Sequence, residues 1–181
     1  MTLTRIDILK NVKKVVIKAG SRLLVDMERG DVNTEMITKL SQSIAQIKKQ
    51  GIDVVLVSSG AVGAGMAVLG IDERPKKLEN IQSCASVGQI KLMRLYEEIF
   101  LKEGFHVGQV LLSAEDFRIR DRYNNINNTI RSMLRHSIIP IINENDSVTI
   151  KEIKVGDNDK LSADVTQFLD ADLLIIFTDE D

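Results

Sequence analysis

Five short stretches of the sequence are almost uninterrupted runs of apolar residues, many of them β-branched. The runs are Lys14 to Lys18, Asp53 to Val57, Val107 to Leu112, Ile138 to Ile142 and Leu173 to Phe177. A strand with one face in solvent alternates apolar and polar side chains, whereas these runs do not alternate. We therefore predict five strands covered on both faces, as in a parallel sheet. Pro140 argues against an interior position for its strand, or marks an irregularity in it, because proline donates no ladder hydrogen bond.

Between these runs, apolar residues recur at the three- and four-residue spacing of an amphipathic helix. The clearest stripe runs from Ile37 to Ile47, where Asn33 or Thr34 can cap its start and Gly51 can end it. Two further stripes contain Leu92, Leu95, Tyr96 and Ile99, and Ile126, Ile130, Met133 and Leu134, and a short last helix is predicted from Lys160 to Leu169. Alternating strands and helices predict a three-layer α/β/α sandwich around a mostly parallel central sheet.

The length of 181 residues suits one domain, and no repeat or linker divides residues 1–181. Each of the first four predicted strands leads into a crossover segment, as parallel strands require. The last run is followed only by the residues from Thr178 to Asp181. We therefore expect the sequence to be the front part of a longer chain.

Charge and cysteine content exclude several classes of protein. The chain has 24 Lys and Arg against 26 Asp and Glu, a net charge of −2, so it lacks the positive excess of a non-specific nucleic-acid-binding protein. No apolar run approaches the roughly 20 residues of a membrane helix, and the segment from Met1 to Asn11 has no signal-peptide core. The single cysteine, Cys84, has no partner for an internal disulfide. We expect a soluble, cytosolic protein that binds neither nucleic acid nor membrane.

The candidate chemistry follows the predicted strands, because ligands of open α/β sheets bind outside the carboxyl ends of the strands. Polar residues and glycines cluster there, in the segments Lys18–Ser21, Ser58–Gly65, Asn143–Ser147 and Thr178–Asp179, and a further polar segment, Gly156–Lys160, opens the last predicted helix. Glycines beside hydroxyl groups, a lysine and several carboxylates suit a small, charged ligand that contains phosphate. We therefore expect an enzyme or binding protein for such a ligand.

Each of these features also has a purely structural interpretation. The glycines Gly60, Gly63 and Gly65 either place a helix N-terminus against an anion or allow a helix to pack closely on the sheet. Lys18 is either a solvated lysine at a strand end or the mobile point charge that phosphoryl transfer needs. Any single aspartate or asparagine of the polar loops can be a turn or cap residue. Their concentration in two short loops favours a site.

Eight segments in a fixed order carry a resemblance to a known family. They are VVIKAGSRLL (15–24), VSSGAVGAGMAVLG (57–70), SVGQIKLMRLYEEIF (86–100), QVLLSAEDF (109–117), RYNNINNTIRSML (122–134), IPIINENDSV (139–148), EIKVGDNDKLSADV (152–165) and LLIIFTDED (173–181). Together they resemble the amino acid kinase family, and within it the kinases that act on the side-chain carboxylate of glutamate. The NEND and GDND motifs are the specific part of this resemblance.

The resemblance implies ATP-dependent phosphorylation of L-glutamate to L-glutamyl 5-phosphate, the first step towards proline. By position, Lys18 resembles the lysine that contacts the ATP phosphates and stabilises the transferring group, and Asp159 the carboxylate that orients catalytic lysines. Four residues correspond to the glutamate site, namely Ser59, Asp146, Asn158 and, less directly, Asp157. In this assignment Ser59 and Asn158 face the carboxylates of glutamate, and Asp146 faces its ammonium group. Thr178 and Asp179 correspond to the nucleotide site.

The resemblance also implies Mg²⁺ together with ATP, although no magnesium ligand can be assigned, as well as an even-numbered homo-oligomer and feedback inhibition by proline. Family members continue past the TD motif with a glycine-rich stretch and a second phosphate-contacting lysine. We expect a protein that ends at Asp181 to be inactive without them.

Three alternatives remain open. They are a sister kinase acting on acetylglutamate, aspartate, carbamate or a nucleoside monophosphate, a non-catalytic amino-acid-binding module, and the kinase half of a bifunctional pyrroline-carboxylate synthase.

Overall fold

The computed structural model describes residues 9–26, 31–148 and 157–178. Its strands are β1 (Lys14–Ala19), β2 (Val25–Asp26), β3 (Asp31–Val32), β4 (Asp53–Val57), β5 (Val107–Leu112), β6 (Ile139–Glu144) and β7 (Leu173–Phe177). Its helices are α1 (Ser21–Leu24), α2 (Thr34–Lys49), α3 (Ala61–Leu69), α4 (Leu78–Lys102), α5 (Arg120–Arg135) and α6 (Asp157–Phe168). The five predicted strands form one sheet in the order β5-β6-β4-β1-β7, and every pairing within it is parallel. The parallel sheet is confirmed. The antiparallel pair of β2 and β3 was not predicted.

The two faces of the sheet carry different helices. Val15 and Ile17 of β1 pack with residues of α1 to α4 in one apolar cluster. Val16, between them in sequence, packs with residues of α5 and α6 in a second cluster on the other face. Successive side chains of a strand point to opposite faces, so a strand buried on both sides must be apolar throughout. The three-layer α/β/α sandwich is therefore confirmed.

The expectation that all five strands are covered on both faces holds only in part for the two at the edges. The central strands β1, β4 and β6 are buried along almost their whole length. In β5 most residues are only half-buried, and in β7 Ile176 and Phe177 are 43% and 42% exposed. An edge strand has a neighbour on one side only, and its apolar run alone does not reveal that position.

Pro140 lies in β6, which has neighbours on both sides, so the argument against an interior strand is wrong. The amide of Ile139 donates to the carbonyl of His106, which directs Ile139 towards β5. Hydrogen-bonding direction alternates along a parallel strand, so the Pro140 nitrogen faces β4. The ladder between β4 and β6 begins one residue later, where Leu56 pairs with Ile141. A proline at the start of a strand therefore breaks no hydrogen bond of this ladder.

The helix ends mostly follow the predicted signals. The side chain of Asn33 caps α2 by accepting a hydrogen bond from the amide of Met36 at 3.0 Å, and Gly51 follows the helix with a φ of +84°. Helix α4 is 25 residues long and extends well beyond its predicted stripe. Helix α6 begins at Asp157 rather than at Lys160, so Asn158 and Asp159 belong to its first turn rather than to a loop. None of the described helices combines the length and apolarity that crossing a bilayer requires.

Helices α3 and α4 approach each other unusually closely, and two glycines permit this. A Cβ atom on Gly65 would overlap the backbone carbonyl of Cys84, and one on Gly88 would overlap the carbonyl of Ala61. Close packing therefore explains Gly65, although its partner is a second helix rather than the sheet. Cys84 itself is buried in this contact, and burial raises the pKa of its thiol, as expected of a packing residue.

Candidate active site

The carboxyl ends of the adjacent strands β1, β4 and β6 lie beside the first turn of α6. Lys18 pairs with Val57 in the parallel register of β1 and β4. The residues after β4 contact Asn158 of α6, and so does Asn143 of β6. Lys18, Ser59, Asn158 and Asp159, which are separated widely in the sequence, are thus brought to one edge of the sheet.

At one end of this region, Lys18 forms an ion pair with Asp159. The lysine nitrogen lies 2.5 Å from Oδ1 of Asp159. The Lys18 side chain is only 9% exposed, whereas that of Asp159 is 53% exposed. A buried ammonium group requires a compensating charge because leaving water is costly. Asp159 supplies that charge and fixes the position of the lysine nitrogen, while its other side remains open to solvent.

Gly20 leaves space beside this lysine. Its amide donates to the carbonyl of Phe177 at 3.2 Å, which ties the turn after β1 to the end of β7. A Cβ atom on Gly20 would lie 3.4 Å from the lysine nitrogen and 3.4 Å from the same carbonyl. A side chain here would therefore occupy space next to the ammonium group.

At the other end, the amide nitrogen of Asn158 joins three elements. It lies 2.8 Å from the carbonyl oxygen of Ser58, 2.7 Å from Oγ of Ser59 and 3.0 Å from Oδ1 of Asn143. Ser59 and Asn143 are both buried, with exposed fractions of 5% and 3%. The start of α6 is therefore fixed to the ends of β4 and β6 by uncharged hydrogen-bonding groups.

Helix α4 supports this cluster from behind with two polar side chains. Asn143 donates from Nδ2 to Oε1 of Gln89 at 2.9 Å, and the hydroxyl groups of Ser58 and Tyr96 are 3.0 Å apart. Tyr96 is fully buried, and this burial raises the pKa of its hydroxyl to about 12, partly offset by the hydrogen bond to Ser58. Tyr96 is therefore neutral at physiological pH and available as a hydrogen-bond donor.

Asp146 lies in the turn after β6, at a cavity of about 370 Å³ between α4 and the carboxyl ends of β5 and β6. Gln89, Arg94 and Glu144 also line this cavity. The hydroxyl groups of Ser147 and Ser86 are 3.0 Å apart and connect the turn to α4. Gln89 lines the cavity and also contacts Asn143, and thereby connects the cavity with the cluster around Asn158.

Comparison with known proteins identifies the family. The profile of the amino acid kinase family matches residues 13–181. The chain belongs to the amino acid kinase family. The match includes Lys18 at the end of β1 and the polar residues at the start of α6. Both lie in segments that carry the sequence resemblance.

Proteins named glutamate 5-kinase match almost the whole chain. The one from Geobacter metallireducens is 48% identical over 177 residues, 98% of this chain and 47% of the relative. That from Carboxydothermus hydrogenoformans is 43% identical over 175 residues, 97% of this chain and 47% of the relative. That from Clostridium acetobutylicum is 47% identical over 178 residues, 98% of this chain and 66% of the relative. The chain therefore spans about half to two thirds of the length of these curated relatives.

Not every predicted site residue of this family member can be placed. Thr178 directly follows β7, whose residue Phe177 pairs with Ala19 of β1. Asp179 and the side chain of Asp157 lie outside the described residues. Within the described ranges, no three His, Cys, Asp or Glu side chains are grouped so that they could hold a metal ion. The assignment of Thr178 and Asp179 to the nucleotide site, and the expectation of Mg²⁺ with ATP, thus stay predictions.

Sequence reasoning missed Gln89, Tyr96 and Asn143 as members of this site. Asn143 was noted only as one residue of a polar loop, and Tyr96 only as part of an apolar stripe. The signal that could have identified Gln89 is a polar residue on the helix face that also carries Leu92 and Tyr96, three and seven residues later. A buried amide on an apolar face needs a hydrogen-bond partner.

Proposed function

We propose that the protein containing this chain transfers the γ-phosphoryl group of ATP to the side-chain carboxylate of L-glutamate. The product is L-glutamyl 5-phosphate, the first intermediate towards proline. The observation that carries this proposal is the buried Lys18–Asp159 ion pair next to the polar cluster around Asn158, in a chain whose cited relatives are named glutamate 5-kinase. One end of the site suits a phosphate and the other an amino acid.

The chemistry requires alignment and charge stabilisation rather than a strong base. A glutamate carboxylate, with an ordinary pKa near 4.3, is already ionised and nucleophilic at neutral pH. One of its oxygens attacks the γ-phosphorus while the bond to the bridging oxygen of ADP breaks. In this proposal Lys18 follows the negative charge as it moves towards the leaving group, and Asp159 positions Lys18.

Glutamate is proposed to bind at the uncharged end of the site. The hydroxyl group of Ser59 accepts a hydrogen bond from Asn158, so its own hydrogen is available to a substrate carboxylate. The Asp146 carboxylate, at the neighbouring cavity, suits the substrate ammonium group. Asp157 is assigned to this site by resemblance alone.

ATP is the phosphoryl donor implied by the family, and Thr178 and Asp179 are proposed to contact it. The space at Gly20 beside the Lys18 ammonium group fits its phosphates. Mg²⁺ accompanies ATP in this proposal and would neutralise part of the phosphate charge. Magnesium in such sites is commonly held by one or two carboxylates together with the phosphates. The further proposals from the resemblance are a homo-oligomer, inhibition by proline and a glutamate site carried by residues 1–181. A cytoplasmic location is proposed from the composition.

A substrate panel tests this function in the full-length protein. ADP release is measured with ATP and Mg²⁺ and with glutamate, acetylglutamate, aspartate, carbamate or a nucleoside monophosphate as acceptor. The proposal predicts release with glutamate and its loss in Lys18→Ala. Lys102→Met, an exposed lysine at the far end of α4, is the matched control and should retain activity. Release with a different acceptor would overturn the substrate assignment, and calorimetric glutamate binding without any turnover would indicate a binding module.

A further inference from the structure

Three side-chain amides form a chain from the inside of the protein to the site. Gln89 on α4 is 8% exposed and Asn143 at the end of β6 is 3% exposed, while Asn158 in the first turn of α6 is partly exposed. Asn143 connects to Gln89 at 2.9 Å and to Asn158 at 3.0 Å. An amide has one end that donates and one that accepts, so the orientation of each group constrains the next.

The backbone fixes the orientation of the middle amide. The backbone N–H of Glu144 donates to the Asn143 side chain at 2.8 Å, so the atom that it reaches must be the oxygen, Oδ1. Nδ2 of Asn143 therefore points towards Gln89 and requires an acceptor there. Only the oxygen Oε1 of Gln89 meets this requirement, because the opposite orientation would place two NH₂ groups against each other.

The same logic fixes Asn158. Oδ1 of Asn143 is an acceptor, so the group of Asn158 that faces it must be Nδ2. That nitrogen also faces the carbonyl of Ser58 at 2.8 Å and the hydroxyl oxygen of Ser59 at 2.7 Å. Its two hydrogens thus meet three acceptors inside the protein. No residue in the described part of the chain donates to its oxygen, Oδ1, and this oxygen is the group that Asn158 can offer to a ligand.

We propose that Gln89 anchors Asn143, and through it Asn158, in the orientation that the Glu144 amide and the Ser58 carbonyl select, so that the site presents an acceptor to the ammonium group of the amino acid. The identity of the ligand rests on the proposed function. Ser59 lies next to Asn158 and presents a donor instead of an acceptor, since its oxygen accepts a hydrogen bond from Asn158 and its own hydrogen can donate. An acceptor beside a donor complements the adjacent ammonium and carboxylate groups of a zwitterionic amino acid. This replaces the sequence-based assignment of Asn158 to a carboxylate.

In this arrangement Gln89 is a positioning residue that acts through Asn143, because its oxygen Oε1 is engaged by Nδ2 of Asn143. Without its oxygen, Nδ2 of Asn143 would lose its acceptor in a buried environment, which is unfavourable. The Asn143 amide would then keep only its contacts with Glu144 and Asn158, and both amides would be held less firmly in the orientation that the backbone selects. The effect should fall on the binding of the ammonium group and should leave ATP binding unchanged.

The experiment compares two ligands in variants of the full-length protein. Calorimetry without ATP measures binding of glutamate and of glutarate, which is glutamate without its ammonium group. Gln89→Met removes the acceptor, Gln89→Glu retains one, and Lys102→Met is the control at an exposed position on α4. We expect Gln89→Met to weaken glutamate binding about tenfold or more, roughly 1.4 kcal/mol, and to change glutarate binding less than about threefold. Gln89→Glu should bind glutamate nearly as the wild type does.

A second variant keeps the test valid if Gln89→Met does not fold. Ser59→Ala removes a hydroxyl that is assigned to a carboxylate, so it should weaken glutamate and glutarate alike. Equal weakening of both ligands by Gln89→Met, or equal impairment of the Met and Glu variants, would overturn the polarity proposal. So would a loss in Ser59→Ala that is confined to glutamate. Wild-type protein that binds glutamate without releasing ADP would refute the kinase function alone, while wild-type protein that binds no glutamate would refute the ligand assignment.

Discussion

The two ends of the candidate site are held in place in different ways. At the Lys18 end, a buried ammonium group depends on one carboxylate that is 53% exposed. At the Asn158 end, uncharged groups from β4, β6 and α6 are joined to one another and to α4 behind them. Among the described residues, the first end has one charged contact open to solvent, whereas the second has several neutral contacts that are mostly buried.

This difference matches what each end has to do in the proposed reaction. A charge that follows a transferring phosphoryl group must be able to exchange its partner when the phosphate arrives, and Asp159 is accessible for that exchange. Groups that recognise an amino acid are more effective when they are oriented before the ligand binds. We therefore expect substitutions at the Lys18 end to affect turnover and substitutions at the Asn158 end to affect glutamate binding.

The largest effect is expected for Lys18→Ala in the full-length protein. Loss of a group that stabilises charge in the transition state costs about 10²- to 10³-fold in kcat, while glutamate binding should be retained. Lys18→Arg should restore little, because a planar fork does not replace a compact ammonium group. Steady-state kinetics with a glutamate titration check this. Turnover close to that of wild type in the alanine variant would refute the role of Lys18.

The next largest effect is expected for Asp146→Ala and Asn158→Ala, which remove contacts at the glutamate end. Each should raise the KM for glutamate by an amount equivalent to roughly 1.5–3 kcal/mol, with the KM for ATP nearly unchanged. Saturation curves for both substrates measure the two effects separately. If both variants saturate with glutamate as wild type does, these residues do not bind it.

Tyr96→Phe should have a smaller effect, and mainly on stability. Loss of the contact with Ser58 should lower the free energy of unfolding by roughly 0.5–1.5 kcal/mol at neutral pH. Burial raises the pKa of Tyr96 from its ordinary value of 10.0 to about 12, so the folded state favours the neutral form. The contribution of Tyr96 to the free energy of unfolding is therefore fully present below about pH 10. It is lost as the pH rises towards 12, by up to ~2–3 kcal/mol.

Tyr96→Phe has no ionisable group at this position, so its free energy of unfolding lacks this decrease at alkaline pH. The difference in stability between the variant and the wild type should therefore shrink or reverse above about pH 10. Denaturant unfolding of both proteins between neutral and alkaline pH measures the difference, with Tyr123→Phe as a matched loss of one hydroxyl group. A constant deficit across that range would contradict the burial of a neutral hydroxyl group at Tyr96.

The smallest effect on stability is expected for Asp159→Asn, which keeps the size of the side chain and removes its charge. Lys18 is buried, but Asp159 is 53% exposed and solvent reaches the pair there, so we expect the loss to stay near the roughly 1 kcal/mol of an exposed pair rather than the several kcal/mol of a buried one. Turnover should nevertheless fall, because Lys18 loses the group that positions it. Thermal unfolding and kcat, measured on the same preparation, separate the two effects. A large loss of stability with normal turnover would show that the pair serves the fold rather than the reaction.

The sequence predicts the sheet well because its signal is local. Apolar runs such as Asp53–Val57 indicate a strand buried on both faces wherever the strand lies in the order of the sheet. The positions of β5 and β7 at the edges depend on neighbours that the runs do not encode. The Pro140 argument was wrong for the same reason, since it depended on where the ladder between two strands begins.

The candidate site could be predicted only in part. Lys18, Asn158 and Asp159 are visible in the sequence because they lie beside glycines or in polar clusters. The support of Asn143 by Gln89 is not visible, because the two residues are 54 positions apart and meet only when α4 packs behind the sheet. The predicted start of α6 is also wrong. Asn158 and Asp159 are expected in a loop, whereas both lie in the first turn of the helix.

The most direct test of the account is the chemical identity of the product. A mixed anhydride of glutamate and phosphate reacts with hydroxylamine, which converts it into the stable glutamyl hydroxamate. Full-length protein with glutamate, ATP and Mg²⁺ should yield hydroxamate and ADP in equal amounts, and neither should form when glutamate is omitted or in Lys18→Ala. Glutamate-dependent ADP release without hydroxamate, or hydroxamate formation by the alanine variant at the wild-type rate, would contradict the account.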